Sequence, residues 1–152
     1  MAGSTTANSL VGTWDPKLMM VNFGGIIFGG YADGTFLNIA PHAADFFTKV
    51  VGADGEVQRS KSADNTHQIT FTALQGSDTN EALSNELEID KETGANKKPL
   101  TITDMNSGLT WFWPEAWIRG DPELPMGKEA QDRQWIIDTG QRKEGGVAGI
   151  QR

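Results

Sequence analysis

The chain has 152 residues, a net charge of −7 and no cysteine. A chain of this length can bury a core without disulfides or metals, so we expect one domain over residues 1–152. The lack of cysteine excludes disulfides, thiolate metal ligands and a cysteine nucleophile. No segment is basic, which argues against sequence-specific nucleic-acid binding, because phosphate neutralisation supplies much of that affinity. No apolar run approaches the roughly 18 residues of a membrane-spanning helix.

The two ends of the chain are polar. Residues 1–12 lack the basic and apolar blocks of a signal peptide and are expected to form a flexible leader. Residues 140–152 are expected to form a polar, glycine-rich tail. Glycine makes up 18 of the 152 residues, above its usual share of about 7%, which predicts many turns and few long helices.

Short apolar runs in the first half predict strands at residues 18–23, 26–32, 36–39, 46–51 and 56–60. Asp-Gly supplies the positive φ angles of a tight hairpin turn, and it occurs at Asp33-Gly34 and at Asp54-Gly55. The first turn is expected to pair residues 36–39 back on the strand before it. The second is expected to join residues 46–51 and 56–60 in a hairpin.

The second half alternates strand patterns with one helical pattern. In residues 67–74, Ile69, Phe71 and Ala73 share one face of a predicted strand. Asp78, followed three residues later by Glu81, resembles a capping box and predicts a helix from Asp78 to about Glu88. A polar loop at 90–99 and strands at 100–105, around the tryptophans and at 133–139 complete the pattern. We therefore predict a mainly β, antiparallel sandwich or barrel with one flanking helix.

A search for catalytic and metal-binding patterns gives none with the required spacing. The histidines, His42 and His67, have no HExxH spacing, and the phosphate-binding loop and the nucleophile elbow are absent. Glu115 and Asp121 could form a glycosidase pair, but 20 acidic residues make such pairs frequent by chance. We expect no catalytic residue, no bound metal and no cofactor.

Three of the five tryptophans lie close together, at Trp111, Trp113 and Trp117. In an extended strand Trp111 and Trp113 point to one face and Phe112 to the other, so both faces of this strand are apolar and should be covered. Pro114 removes a backbone donor and should end the pairing or place it at an edge. A neighbouring subunit could supply part of the cover. The alternative is an exposed stacking platform in a carbohydrate-binding module.

The order of these features resembles a known family. The run GEVQRSKSADNTHQITFTALQGSDTNEALSNELEIDKETG gives two strands and a helix, followed by LTITDMNSGLTWFWPEAWIRGDPELPMG and RQWIIDTGQRKEGG. Over roughly residues 12–146 the chain resembles the tail tube proteins of tailed bacteriophages, most closely those of contractile tails. The resemblance rests on the order and spacing of these blocks.

The resemblance implies a structural subunit of the virion, without enzymatic activity and assembled in the host cytoplasm. Six subunits would form a ring, and stacked rings would form a tube through which DNA passes without sequence-specific binding. The implied partners are further copies of the chain, the tail sheath, the baseplate or initiator and the tape measure protein. Another tail or baseplate protein of similar fold is an alternative.

Two expectations concern surfaces. A channel wall that DNA must slide along should be acidic or neutral, so that phosphates are not trapped. The region between Pro41 and Asp64 carries apolar side chains, Phe46, Phe47, Val50 and Val51, that could dock on the next ring or pack into the subunit's own core. The loop Asn96-Lys97-Lys98 is a candidate contact for an acidic sheath surface.

Overall fold

The computed structural model of the chain describes residues 12–142. The leader predicted at 1–12 and the tail predicted at 140–152 lie almost wholly outside the described residues. Within 12–142, no helix has the length and apolar character needed to cross a membrane.

A short 3-10 turn at Pro16–Leu18 precedes the strands and the helix of the described region. The strands are β1 (Met19–Phe23), β2 (Ile26–Ile27), β3 (Leu37–Pro41), β4 (Phe47–Val51), β5 (Val57–Lys61), β6 (His67–Ala73), β7 (Lys98–Asp104), β8 (Leu109–Ile118) and β9 (Arg133–Thr139). The helix, α1 (Asp78–Thr93), connects β6 to β7.

Seven of the strands form one antiparallel sheet in the order β2-β1-β7-β8-β9-β6-β3. Strands β4 and β5 pair only with each other and form a separate two-stranded sheet. The predicted fold class is confirmed: the chain is mainly β and antiparallel, with one flanking α-helix. The barrel does not close, because β2 and β3 remain at opposite ends of the sheet.

The long strand β8 joins two halves of the sheet. Its first half pairs with β7, and Ala116, Trp117 and Ile118 pair with β9. The register on β7 shifts between Lys98 and Leu100, beside Pro114. The prediction that Pro114 ends the pairing was wrong. The proline coincides with an irregularity that tolerates its missing N–H, and pairing resumes at Ala116.

One hydrophobic core lies between the two halves of the sheet and the helix. Its strand residues alternate along each strand, as expected when one face of a sheet is buried. The core residues are Val21, Phe23, Phe28, Ile69, Phe71, Ala73, Leu83, Leu87, Leu100, Ile102, Trp113, Ala116, Ile118, Trp135 and Ile137. The face predicted for β6, formed by Ile69, Phe71 and Ala73, is therefore correct.

The helix begins at Asp78, as predicted, but Asp78 is not its N-cap. Ser77 is the N-cap, and its Oγ accepts a hydrogen bond from the backbone N–H of Thr79. Asp78 is instead the first helical residue, where its charge complements the helix dipole. The helix extends past Glu88 to Thr93 and ends at Gly94, whose φ of 67° favours a residue without Cβ.

The pairing predicted for residues 36–39 was also wrong. Strand β3 pairs with β6, with Leu37 opposite Phe71, and not with the preceding strand. The strand predicted at 26–32 ends after Ile27, because the chain turns at Gly30, where φ is 66°. The intervening segment carries Tyr31 to a single bridge with Ala73, so β3 arrives at the far end of the sheet.

Candidate assembly interface

The hairpin of β4 and β5 forms where the Asp54-Gly55 turn predicts it. Gly55 has a φ of 91°, and the backbone N–H of Gly52 donates to the carbonyl of Glu56 at 2.6 Å. Every residue of both strands is exposed. The hairpin therefore projects from the subunit with no cover on either face from the described residues.

Apolar side chains of the hairpin remain in contact with solvent. The exposed fractions are 45% for Phe47, 68% for Val50, 59% for Val51 and 63% for Val57. Phe46 is half-buried and packs edge-on against Phe47, with 5.2 Å between ring centroids. These residues do not belong to the core cluster. The expected alternative, in which they pack into the subunit's own core, is therefore wrong.

Basic side chains lie beside these apolar groups. Lys49 is directly opposite Arg59 across the hairpin. The guanidinium of Arg59 lies 4.2 Å from the centroid of the Phe47 ring, and the ammonium of Lys61 lies 5.7 Å from that of Phe46. Such cation–π contacts fix long side chains in place at an exposed site. The hairpin thus presents an ordered surface of mixed apolar and basic character.

The three clustered tryptophans have different environments. Trp113 has no exposed surface, and its Nε1–H donates to Nδ1 of His67 at 3.3 Å. A side chain with no exposed surface cannot contact another subunit, so the structure places Trp113 in the core and not at an interface. Trp111 and Trp117 are half-buried and keep some accessible surface. None of the three forms the exposed platform that a carbohydrate-binding module needs.

The outward face of the seven-stranded sheet carries few charges and mixes polar with apolar side chains. Its polar residues are Asn22, Thr101, Thr103, Thr110, Asn38, Gln68, Thr70, Thr72 and Gln134, which alternate with core residues along their strands. Its apolar residues are Met20, Phe112, Trp117 and Ile136, which lie opposite Thr103, Thr101, Asp138 and Thr70. The charged pair on this face neutralises itself, because Arg119 donates to both carboxylate oxygens of Asp138 at 3.0 and 2.8 Å. The hydrogen bonds from Arg119 to Asp138 raise the pKa of the guanidinium.

The two ends of the sheet are unequal. At one end β2 pairs over only two residues, Ile26 and Ile27. At the other, β3 is bonded to β6 on one side and has no partner strand on its other side among the described residues. An unpaired strand presents free N–H and C=O groups that accept a further strand.

Sequence reasoning missed an apolar groove beside β1 and β2. It has a volume of about 790 Å³, and its lining includes Met19, Tyr31, Phe36 and Leu74. Tyr31 and Phe36 stack face to face, with 4.4 Å between centroids. Trp14, which is 58% exposed, lies at the rim. The aromatic residues around the Asp33-Gly34 turn were the available signal.

The polar residues weighed for chemistry lie apart or in ion pairs. Nδ1 of His42 is 2.9 Å from Asp64, and hydrogen bonds from Thr66 and His42 lower the pKa of Asp64 to about 2. His67 contacts the core. Among residues 12–142 no group of three or more His, Asp or Glu side chains is placed to hold a metal ion.

The remaining candidates are engaged by neighbours within the chain. Asp121 pairs with Lys91 at 2.8 Å, and Glu115 pairs with Lys97 at 3.5 Å. Lys98 pairs with Glu86 at 2.6 Å. The two lysines of the loop proposed for sheath contact are therefore partly neutralised by the chain's own carboxylates.

Comparison with known proteins identifies a family. The family model described as bacteriophage PhiTE tail tube protein matches residues 39–145. Structural protein ORF10 of Pseudomonas phage KPP10 is 26% identical over 110 residues, which cover 71% of this chain and 63% of that protein. The chain thus spans less than two thirds of the length of this relative.

Solved structures with a similar fold come from contractile injection systems. The sheath/tube terminator of the extracellular contractile injection system PVC, in its extended state, aligns with a TM-score of 0.59 at 12% identity, covering 89% of this chain and 98% of that one. The tube-terminating cap of the anti-feeding prophage aligns at 0.56, also at 12% identity, covering 93% and 97%. At this identity the similarity concerns the fold. On the family match, which spans most of the chain, the protein belongs to the phage tail tube family and is a structural component of the tail.

Proposed function

We propose that the chain is the repeating subunit of the tail tube, with six copies in each ring and rings stacked head to tail around a channel for DNA. The observation that carries this proposal is the exposed hairpin of β4 and β5, whose apolar side chains have no cover within the subunit. Isolated two-stranded hairpins are marginal in water, so a contact with another subunit would stabilise it. The role is structural, without catalysis or cofactor.

Closure of the ring uses the edges of the sheet. The free side of β3 and the short strand β2 lie at opposite ends of one open sheet, so edge-to-edge pairing between neighbours would join six sheets into one continuous wall. Trp111 and Trp117 keep some accessible surface in the subunit, but they lie on β8 in the middle of the sheet, so any contact they make with another subunit is through the faces of the sheet and not through its edges. Trp113 supports this surface from within the core.

The channel wall in this proposal is the outward face of the joined sheets. Its threonine, asparagine and glutamine side chains carry no net charge, and the ion pair of Arg119 with Asp138 adds none. Phosphate binding depends on Lys and Arg neutralising the backbone. A wall without unpaired cations would let DNA slide. Of the two expectations for the channel wall, acidic or neutral, this proposal takes the neutral one.

Stacking uses the hairpin, with Phe46, Phe47, Val50 and Val51 covered by the next ring. A contact between two different surfaces of the same subunit does not close and generates a filament. The tube would contact the sheath on its outside, the baseplate or initiator at one end and the tape measure protein inside, and it would assemble in the host cytoplasm. A related solved structure is itself described as a sheath-tube complex.

A tube or sheath terminator is the second candidate, because two of the similar structures are terminators. Terminators and tube subunits differ in what they build. A tube subunit adds ring after ring, whereas a terminator stops at one ring. In a tube of repeated rings, the exposed side chains of each hairpin would contact the next ring, which favours a tube subunit over a terminator.

The test is negative-stain electron microscopy of the purified chain over a concentration series. Hollow tubes of uniform width support the proposal, single rings would assign the chain as a terminator, and monomers at every concentration would contradict both. The double variant Phe46→Asp, Phe47→Asp should keep its fold but form no tubes. Met105→Asp changes a comparably exposed side chain, at 48%, outside the hairpin and should assemble normally.

A further inference from the structure

The exposed hairpin has one face that is basic as well as apolar. Residues directly opposite in an antiparallel pair share a face, so Phe47, Lys49 and Val51 lie on the same side as their partners. Those partners are Lys61, Arg59 and Val57. The two strands contain three cations and no carboxylate, in a chain whose net charge is −7.

The basic residues of the hairpin destabilise the pairing of its own two strands, and no ion pair among the described residues offsets this loss. Like charges directly opposite across two strands destabilise the pairing, and Lys49 faces Arg59. None of the ion pairs formed within residues 12–142 involves Lys49, Arg59 or Lys61. The contacts of Arg59 and Lys61 with phenylalanine rings hold these cations in position. A basic, preorganised and unpaired face fits an acidic partner.

The same chain carries a surface of the opposite charge. Helix α1 has six carboxylates against one lysine, and residues 121–132 have four carboxylates against one lysine. The two elements lie side by side. Asp121 pairs with Lys91 in the last turn of the helix at 2.8 Å, and the backbone N–H of Gln131 donates to the side chain of Gln75, just before the helix, at 2.8 Å.

Apolar side chains are exposed among these carboxylates, as they are among the cations of the hairpin. Ile89 on the helix is 46% exposed, and Leu124 and Met126 in the neighbouring segment are 60% and 70% exposed. Interfaces combine an apolar centre with a polar rim, and opposite potentials on two surfaces favour their encounter and fix their register. The acidic surface therefore matches the hairpin in both charge and apolar character.

We propose that the basic face of the β4–β5 hairpin docks on the acidic surface of α1 and residues 121–132 of a second copy in the adjacent ring. This inference rests on the proposed tube function and names the acceptor surface for stacking. DNA would also attract the three cations, but phosphates offer nothing to cover Phe47, Val51 and Val57, whereas the acidic surface does. Because donor and acceptor surfaces differ, the contact propagates along the tube axis.

A charge exchange between the two surfaces tests the docking. The hairpin variant is Lys49→Glu, Arg59→Glu, and the acceptor variant is Glu92→Lys, Glu123→Lys; all four positions are exposed. Each variant alone should lose sedimentable tubes under conditions in which the wild-type chain forms them. An equimolar mixture of the two variants, or one chain with all four changes, should regain them, because opposite charges again face each other. Single reversals elsewhere, Lys17→Glu and Asp33→Lys, should leave assembly unchanged.

The outcomes separate this inference from the proposed function. Two outcomes would contradict the docking surface while the tube function stands, given that the wild-type chain forms tubes. In the first, the hairpin variant also forms tubes. In the second, neither the mixture nor the fourfold variant forms tubes again. If the hairpin variant forms tubes but no longer binds DNA, the basic face belongs to nucleic acid instead. If the wild-type chain never assembles, the tube function fails and this inference fails with it. Circular dichroism of each variant establishes that the fold is retained.

Discussion

The hydrogen bond between Trp113 and His67 makes the stability of the subunit depend on pH. Nε1–H of the indole donates to Nδ1 of the imidazole at 3.3 Å, so Nδ1 must be unprotonated for the bond to exist. Burial lowers the pKa of His67 below its ordinary value of 6.5, and the charge of Arg142 lowers it further; a backbone hydrogen bond at Asn65 and the charge of Asp64 act in the opposite direction. Protonation in the folded state is therefore disfavoured.

The sign and size of the effect follow from proton linkage. Below about pH 6.5 the unfolded chain binds a proton at His67 more readily than the folded chain does, so the free energy of unfolding falls as pH falls. The slope cannot exceed about 1.4 kcal/mol per pH unit for one group. Since the ring is only half-buried, we expect a total loss of about 1 kcal/mol, the typical contribution of one neutral hydrogen bond.

Urea unfolding followed by tryptophan fluorescence at several pH values between about 7.5 and 5 measures this loss. The variant His67→Asn places an amide oxygen near the position of Nδ1 without a titrating group, so its stability should change less over the same range. Parallel curves for the wild type and His67→Asn would refute the reasoning.

Three further predictions concern the stability of the subunit, measured by urea unfolding. Leu83→Ala removes a fully buried side chain from α1 and should cost about 2–5 kcal/mol. Ser77→Ala removes the N-cap and should cost about 1 kcal/mol, whereas Asp78→Asn should cost less, since Asp78 is not the cap; equal losses would restore the original capping-box prediction. Gly94→Ala and Gly30→Ala place Cβ at nearly the same positive φ, 67° and 66°. The first should cost about 1–2 kcal/mol and the second more, because its Cβ would lie 2.5 Å from the Ser77 side chain; similar losses would contradict the steric argument.

Features encoded within a few residues of sequence were predictable. The Asp-Gly turn at 54–55 and the alternation of Ile69, Phe71 and Ala73 depend on local backbone preferences and on the period of a strand, and both formed as predicted. The helix end was harder to place. Residues 89–93 are mostly polar, and a polar run is compatible with a loop or with the solvent face of a helix; Gly94, the residue that ends the helix, was the better signal.

Features that depend on distant contacts were not predictable. The partner of β3 is β6, about 30 residues along the chain, and nothing in the Asp33-Gly34 turn distinguishes it from a hairpin turn to the preceding strand. Trp111 and Trp113 share a strand face by spacing, yet only Trp113 is fully buried, because His67 and the second half of the sheet cover it. The acidic surface of α1 and residues 121–132 arises from two segments that the sequence separates by β7 and β8.

The partner exchange along β8 has a mechanical consequence. Three backbone-paired positions, Ala116, Trp117 and Ile118, connect the two halves of the sheet through β9, flanked by two further backbone hydrogen bonds, from Gly140 to Glu115 and from Arg119 to Ile136. The side chain of Arg119 also strengthens this junction by binding both Asp138 and Gln68. A load applied across the sheet concentrates on these few bonds, so the subunit bends at the junction before either half loses its own pairing. In the proposed ring of six subunits, such junctions would let the wall change its curvature at six equivalent places without breaking the ring apart.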